Sequence, residues 1–222
     1  MIREKINMYK AILFDFDFTL GDSSKGIIKS ANHAITKMGF PPKDDESIRK
    51  TIGHTMRDSF RMLTGDPDPE KGSVYQKYFL EMADQVMTAS TELYPGVLDS
   101  IKAFREAGYK LGIVTTKMSF RINDILKKFS AQELVDVVIG ADNVKTEKPD
   151  PEGVLIAAKT LGLELSRILY VGDSLVDAKT AANAGVDLAA VLTGTTTRED
   201  FAPYAPKFIC ENIPELRSKL LP

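Results

Sequence analysis

Lys10-Ala11-Ile12-Leu13-Phe14-Asp15-Phe16-Asp17-Phe18-Thr19-Leu20 is the stretch from which the fold is read. An apolar run of strand length stops abruptly at two carboxylates that flank one aromatic residue. Side chains two apart on a strand point the same way, so Asp15 and Asp17 share one small volume if the backbone stays extended. Open parallel sheets place their ligands at the carboxyl ends of the strands. Two like charges that close are unfavourable unless a cation joins them or one is protonated. The pair therefore reads as a metal site or as a nucleophile beside an acid. The competing reading is an exit turn, where Asp is common because its side chain bonds nearby backbone.

Working outward, Ser23-Ser24 precede a helical spacing at Ile27, Ile28, Ala31, Ala34, Ile35 and Met38 that Gly39 and Pro41-Pro42 end. Shorter helical patterns run through Ile52 and over Met56 to Leu63, and Gly65-Asp66-Pro67-Asp68-Pro69 breaks the second. Val74, Tyr78, Phe79, Met82, Val86 and Met87 mark a longer helix. After Tyr94-Pro95-Gly96 the character changes. Helices are expected over Val97 to Ala107, Ser119 to Phe129, Pro151 to Leu161 and Leu175 to Ala184. Strands are expected over Leu111 to Thr115, Val135 to Ile139, Arg167 to Val171 and Leu188 to Leu192. This alternation predicts an α/β fold: a Rossmann-like parallel sheet with helices on both faces, joined by right-handed crossovers. The first strand belongs to the same sheet, so 21–90 is an insertion. The expected domains are a catalytic core of 1–20 and 91–222 and a small all-helical cap of 21–90.

Of 222 residues, 43% are hydrophobic, and 29 basic against 31 acidic residues leave a net charge of −2. No basic stripe suggests nucleic acid, and the apolar runs fall short of the roughly 20 residues a membrane span needs. Met1 to Ile6 lacks the apolar stretch of a secretory signal. The single cysteine, Cys210, reads as a small buried hydrophobe near the last strand. A cytoplasmic protein is expected.

Four strand ends carry polar residues: Asp15 and Asp17, Thr115-Thr116, the Lys148 loop, and Gly172-Asp173-Ser174. With Glu147-Lys148-Pro149-Asp150-Pro151 and Gly172-Asp173-Ser174-Leu175-Val176-Asp177 in this order, the chain resembles the haloacid-dehalogenase-like hydrolase superfamily. The likeness is to its phosphoglycolate phosphatase-like members, which insert a helical cap after the first motif. It implies a Mg²⁺-dependent phosphatase acting on a small phosphorylated metabolite through an aspartyl-phosphate. In that scheme Asp15 is the nucleophile and Asp17 the acid and base. Thr115 and Thr116 bind the phosphoryl group, and Lys148 neutralises charge. The implied metal ligands are Asp15, the Asp17 carbonyl and Asp173, with Asp177 behind them. Lys117 and Ser174 are given no role.

The family most often has Gly where this chain has Phe18. Phe18 is expected at ordinary negative φ, with its ring lining the cap side of the cavity. His54 and Arg57, in Ile52-Gly53-His54-Thr55-Met56-Arg57-Asp58-Ser59-Phe60, resemble the family's substrate-facing cap loop; solvated loop residues are the alternative. His33 reads as packing or surface. Hinges are expected near Gly21 and Tyr94-Pro95-Gly96. Dehalogenases generally do without the second Asp and the metal, so Asp17 with Asp173 argues against dehalogenation. A β-phosphoglucomutase-like mutase usually carries His where this chain has Ile27, which favours hydrolysis. A pyrophosphatase of the same family, and a catalytically silent phosphate binder, stay open.

Overall fold

The computed structural model describes residues 9–221. The Met1–Ile6 segment, read above for a signal, lies outside the described residues. By internal packing the chain divides into two compact units, one reaching Gly21 and resuming at Leu93, the other spanning Asp22–Glu92. Among the described residues, no helix is long and apolar enough to cross a membrane.

The α/β unit holds one six-stranded sheet in the order β5-β4-β1-β6-β7-β8. Its strands are β1 (Ala11–Phe14), β4 (Lys110–Val114), β5 (Val137–Ile139), β6 (Ile168–Gly172), β7 (Asp187–Val191) and β8 (Phe208–Cys210). All of its pairings are parallel, and β1 lies between β4 and β6. The period-two rule is visible on β1 itself. Ile12 and Phe14 pack in one apolar cluster with Ile101, Phe104, Ile125 and Leu216. Ala11 and Leu13 face the opposite cluster, with Val154, Ala157, Ala178 and Ala181. Helices α5 (Val97–Glu106), α6 (Ser119–Lys128) and α10 (Ile213–Leu220) supply the first layer. Helices α7 (Glu152–Leu161) and α8 (Leu175–Ala184), with the short α9 (Arg198–Phe201), supply the second.

Burial on both faces explains why β1 is apolar at every position rather than alternating. The chain leaves β1 toward β4 and β5, then returns to the other side of β1 at β6. That reversal opens a crevice at the carboxyl edge, next to Asp15. Beyond Leu192 the sequence reading gave no bounds but placed Cys210 near a last strand; the structure has that strand as β8 and adds α10. Cys210 lies fully buried on β8, and burial pushes its thiol pKa up.

The second unit contains α1 (Ser24–Lys37), α2 (Asp45–Arg49), α3 (Met56–Thr64) and α4 (Pro69–Ser90). Asp68 caps α4 by accepting from the Glu70 amide at 2.9 Å. Pro69 takes the first helical position, where its missing N–H costs nothing. The punctuation that ends α3 therefore also starts α4. The buried stripe of α4 is Gly72, Tyr75, Phe79, Ala83 and Met87, whereas Val74 is 41% exposed. The residues read from sequence thus locate this helix correctly but only partly pick its inner face. A Cβ on Gly26 of α1 would sit 2.6 Å from Ser90 Oγ and 3.1 Å from Met87 Sδ, so glycine is what lets α1 and α4 approach. Short strands β2 (Gly21–Asp22) and β3 (Glu92–Leu93) pair where the chain passes between the units.

Candidate active site

The end of β1 is fixed by backbone bonds. The Asp15 amide donates to Val171 O at 2.8 Å, continuing the β1–β6 ladder. The chain then coils tightly: Thr19, Leu20 and Gly21 amides all donate to Phe16 O, and the Phe18 amide donates to Gly21 O at 2.8 Å. This turn holds Phe18 at φ 60°, which overturns the expected negative φ. A left-handed residue other than glycine costs about 1–2 kcal/mol. The Phe18 ring is 5% exposed, and burying such a side chain contributes about 1.5–3 kcal/mol, enough to offset the strain. Thr193 Oγ1 donates to Phe18 O and secures the turn from the loop after β7.

Asp15, Asp173 and Asp177 bring one carboxylate oxygen each within 4.8 Å of one another, and all three are buried. Lys148 reaches this cluster from its loop, with Nζ 2.9 Å from Asp15 Oδ1 and 2.7 Å from Asp177 Oδ1. The contact with Asp15 is close but not aligned as a hydrogen bond, so Asp15 Oδ1 has no aligned donor. Tyr170 OH lies 3.2 Å from Lys148 Nζ and 3.1 Å from Val114 O, to which it donates. Asp177 is fully buried and used on both oxygens: Oδ2 accepts from Ser174 N and Oγ while Oδ1 takes Lys148. Ser174 caps α8 in this way, so it holds Asp177 in place. Asp173 Oδ1 accepts from Thr19 Oγ1 at 2.9 Å. Its Oδ2 lies against Gly194, where a Cβ would come within 1.9 Å.

Burial is the main cause that raises the Asp15 pKa to about 6; Asp177 and Asp17 add to it and Lys148 opposes it. Burial, then repulsion from Asp177 and Asp15, also raises Asp173 well above the carboxylate range. For Lys148, burial works against the charge, but Asp15 and Asp177 outweigh it and raise the pKa well above the usual lysine value. Counting the cluster and the Asp17–Lys117 pair together, four carboxylates stand against two ammonium groups, Lys148 and Lys117. The surplus negative charge, the unpartnered oxygens and an all-oxygen donor set fit a hard divalent cation such as Mg²⁺.

Asp17, 8% exposed, pairs with Lys117, whose Nζ is 2.9 Å from Asp17 Oδ2. Thr115 is buried and its Oγ1 accepts from the Lys117 amide at 3.2 Å; Thr116 is half-buried. Thr115 and Lys148 line one small depression with Gly140 and Glu147. The structure therefore joins Asp15, Lys148, Asp173 and Asp177 in contact, sets Thr115 beside Lys148, and pairs Asp17 with Lys117. Lys117 is the residue that sequence reasoning passed over.

His54 and Arg57 belong to the helical unit. His54 is half-buried and its Nδ1 has no hydrogen-bond partner among the described residues. Arg57 is exposed near the start of α3, and its stem packs on Gly72. His33 is half-buried on α1, with Nε2 3.6 Å from Glu81 Oε2.

The sequence model described as haloacid dehalogenase-like hydrolase matches residues 12–191. The chain belongs to that family. A solved structure of a haloacid dehalogenase-like hydrolase from Bacteroides fragilis superposes with a TM-score of 0.91 at 38% identity, covering 94% of this chain and 99% of that one. Pyrophosphatase PpaX of Bacillus velezensis is 32% identical over 206 residues, 93% of this chain and 94% of the relative. Phosphoglycolate phosphatase of Rhodobacter capsulatus is also 32% identical over 206 residues, 90% and 93% of the two chains. In this hydrolase the match takes in every motif residue from Asp15 to Asp177 and ends at the close of β7.

Proposed function

We propose that this hydrolase is a Mg²⁺-dependent phosphatase of a small phosphorylated metabolite, working through an aspartyl-phosphate on Asp15. The observation that carries the reading is the pair Asp15 and Asp17 at the end of β1, each facing its own buried lysine. Phosphate-monoester hydrolysis is among the slowest uncatalysed reactions, and a carboxylate nucleophile divides it into two displacements. Asp15 attacks phosphorus, forming the O–P bond as the bond to the leaving oxygen breaks. Asp17 gives that oxygen a proton, then takes one from the water that displaces Asp15 and frees inorganic phosphate. Thr115 donates its hydroxyl to a phosphoryl oxygen, with Thr116 as a further phosphate-binding residue. Lys148 holds Asp15 in line and offsets charge on the phosphoryl group.

Mg²⁺, held by Asp15, Asp173 and the Asp17 carbonyl with Asp177 behind them, supplies neutralisation of the phosphoryl charge. In this proposal 1–20 and 91–222 form the catalytic core. Residues 21–90 form a cap, where His54 and Arg57 select the non-phosphate end of the substrate.

Phosphate release from a panel of phosphorylated metabolites tests the reading. Turnover should need Mg²⁺, stop with chelator, and vanish in Asp15→Asn; release undiminished by Asp15→Asn would sink it. Pyrophosphate is the second substrate class, because a relative named pyrophosphatase is as similar to this chain as one named phosphoglycolate phosphatase. Including it in the panel decides between them.

A further inference from the structure

Resting on the phosphatase reading above, we infer that Lys117 is a positioning residue that selects the working oxygen of Asp17, turning Oδ1 toward the leaving group. Both side chains are nearly closed off from water, at 6% exposure for Lys117 and 10% for Asp17. Lys117 Nζ holds Asp17 Oδ2 at 2.9 Å, while Asp17 Oδ1 is buried with no hydrogen-bond partner. A buried carboxylate oxygen without a donor is costly to keep, and proton exchange with a reacting group gives it a use.

The lysine is aimed from a backbone held on both sides. Its amide donates to Thr115 Oγ1 at 3.2 Å, and its carbonyl accepts from the Ala141 amide at 3.1 Å. A Cβ on Gly140 would come within 2.5 Å of that carbonyl, so the loop after β5 presses directly on Lys117. The two buried lysines are thus divided between the two aspartates: Lys148 goes to Asp15 and Lys117 to Asp17. In the first displacement the P–O bond to the leaving group breaks, the bond to Asp15 forms, and the proton on Asp17 Oδ1 passes to the departing oxygen. Lys117 takes no part in bonds made or broken. It prevents the carboxyl group from rotating its working oxygen away.

A leaving-group comparison tests this. General acid catalysis contributes about 10²–10⁴-fold where the leaving oxygen needs a proton, and little where an activated aryl oxide leaves unaided. Wild type, Lys117→Met and Lys117→Arg are compared on glycerol phosphate and on 2,4-dinitrophenyl phosphate. The parameter is kcat/KM, which reports the steps up to the covalent intermediate. Lys117→Met should lose about 10–100-fold on the alkyl ester, part of the acid's contribution, and less than about 3-fold on the aryl ester. Lys117→Arg should recover part of the loss, and inhibition by inorganic phosphate should be unchanged.

Added to Asp17→Asn, Lys117→Met should cost nothing further on the alkyl ester. Equal losses on the two esters, weaker inhibition by inorganic phosphate, or an undiminished loss in the Asp17→Asn background would each overturn the inference and leave the phosphatase reading standing. A wild type that hydrolyses neither ester nor any metabolite of the panel would overturn the phosphatase reading and, with it, this one.

Discussion

In the helical unit the buried polar side chains are hydroxyls, and several are satisfied close at hand. Ser30 Oγ donates to Gly26 O, Thr51 Oγ1 to Ile48 O, and Thr91 Oγ1 to Met87 O. In the α/β unit Asp15, Asp17, Lys117, Lys148, Asp173 and Asp177 are buried ionisable groups that meet across strand ends far apart in sequence. A hydroxyl turned back onto its own helix adds little to stability and is easily dispensed with. Buried ion pairs are also poor stabilisers, since desolvation takes back much of the Coulomb gain. Their concentration at one edge is the mark of chemistry rather than of folding. One unit is built for packing, and the other spends burial on reactivity.

Substitutions can break or sharpen this contrast. The largest effect is expected for Asp15→Asn. Phosphate release should fall by about 10⁴-fold or more, while Tm stays level or rises because one of several like charges is gone. A large drop in Tm would mean that the carboxylate cluster stabilises the fold after all.

Phe60→Ala in the helical unit should do the reverse. Phe60 is 1% exposed, with ring centroids 5.8 Å from Phe40 and 5.7 Å from Tyr75. Its removal should cost about 3–5 kcal/mol in urea unfolding.

A smaller, pH-dependent cost belongs to Asp136, on the α/β side but away from the site. Burial opposes its charge, yet hydrogen bonds from Arg105 and the Leu111 amide, with the Arg105 and Lys110 charges, outweigh it and hold its pKa below the usual value. The stabilisation is therefore full above the unfolded value of about 3.9 and is lost as the pH falls through the lowered folded value. Asp136→Asn should cost about 1–3 kcal/mol at pH 7 and progressively less below pH 4 in denaturant titrations.

Ser30→Ala closes the series. Less than about 1 kcal/mol should be lost, with phosphate release unchanged. A loss as large as that of Phe60→Ala would show that the helical unit's hydroxyls are not incidental.

Much of this was legible in the residues themselves. The unbroken apolar run of β1, the alternation after Gly96 and the four polar strand ends each express burial or period directly. The placement of Asp15, Asp17, Lys148, Asp173 and Asp177 follows once the strands are parallel. Phe18 was misread because its φ is set by bonds to Gly21 and Thr193, one of them 175 residues distant. Lys117 was given no role because its partner lies in the turn beyond another strand, and no local pattern shows which of two lysines meets which aspartate. Short β8 was anticipated only through Cys210, and it and α10 carry too little periodicity for their bounds to be read. On α4 the inner stripe includes Gly72 and Ala83, which a search for large apolar residues ignores.

Gly194 has a consequence for anyone who would redesign this hydrolase. It stands outside every motif, yet the absence of a side chain there is what leaves room for Asp173 Oδ2. The opposite oxygen is already tethered to Thr19, so the carboxylate has nowhere convenient to retreat. A mutational library tiled across residues 193–197 should lose active clones most heavily at 194. A consensus scan of motif positions alone would leave that site open to variation, and much of the resulting diversity would be dead on arrival.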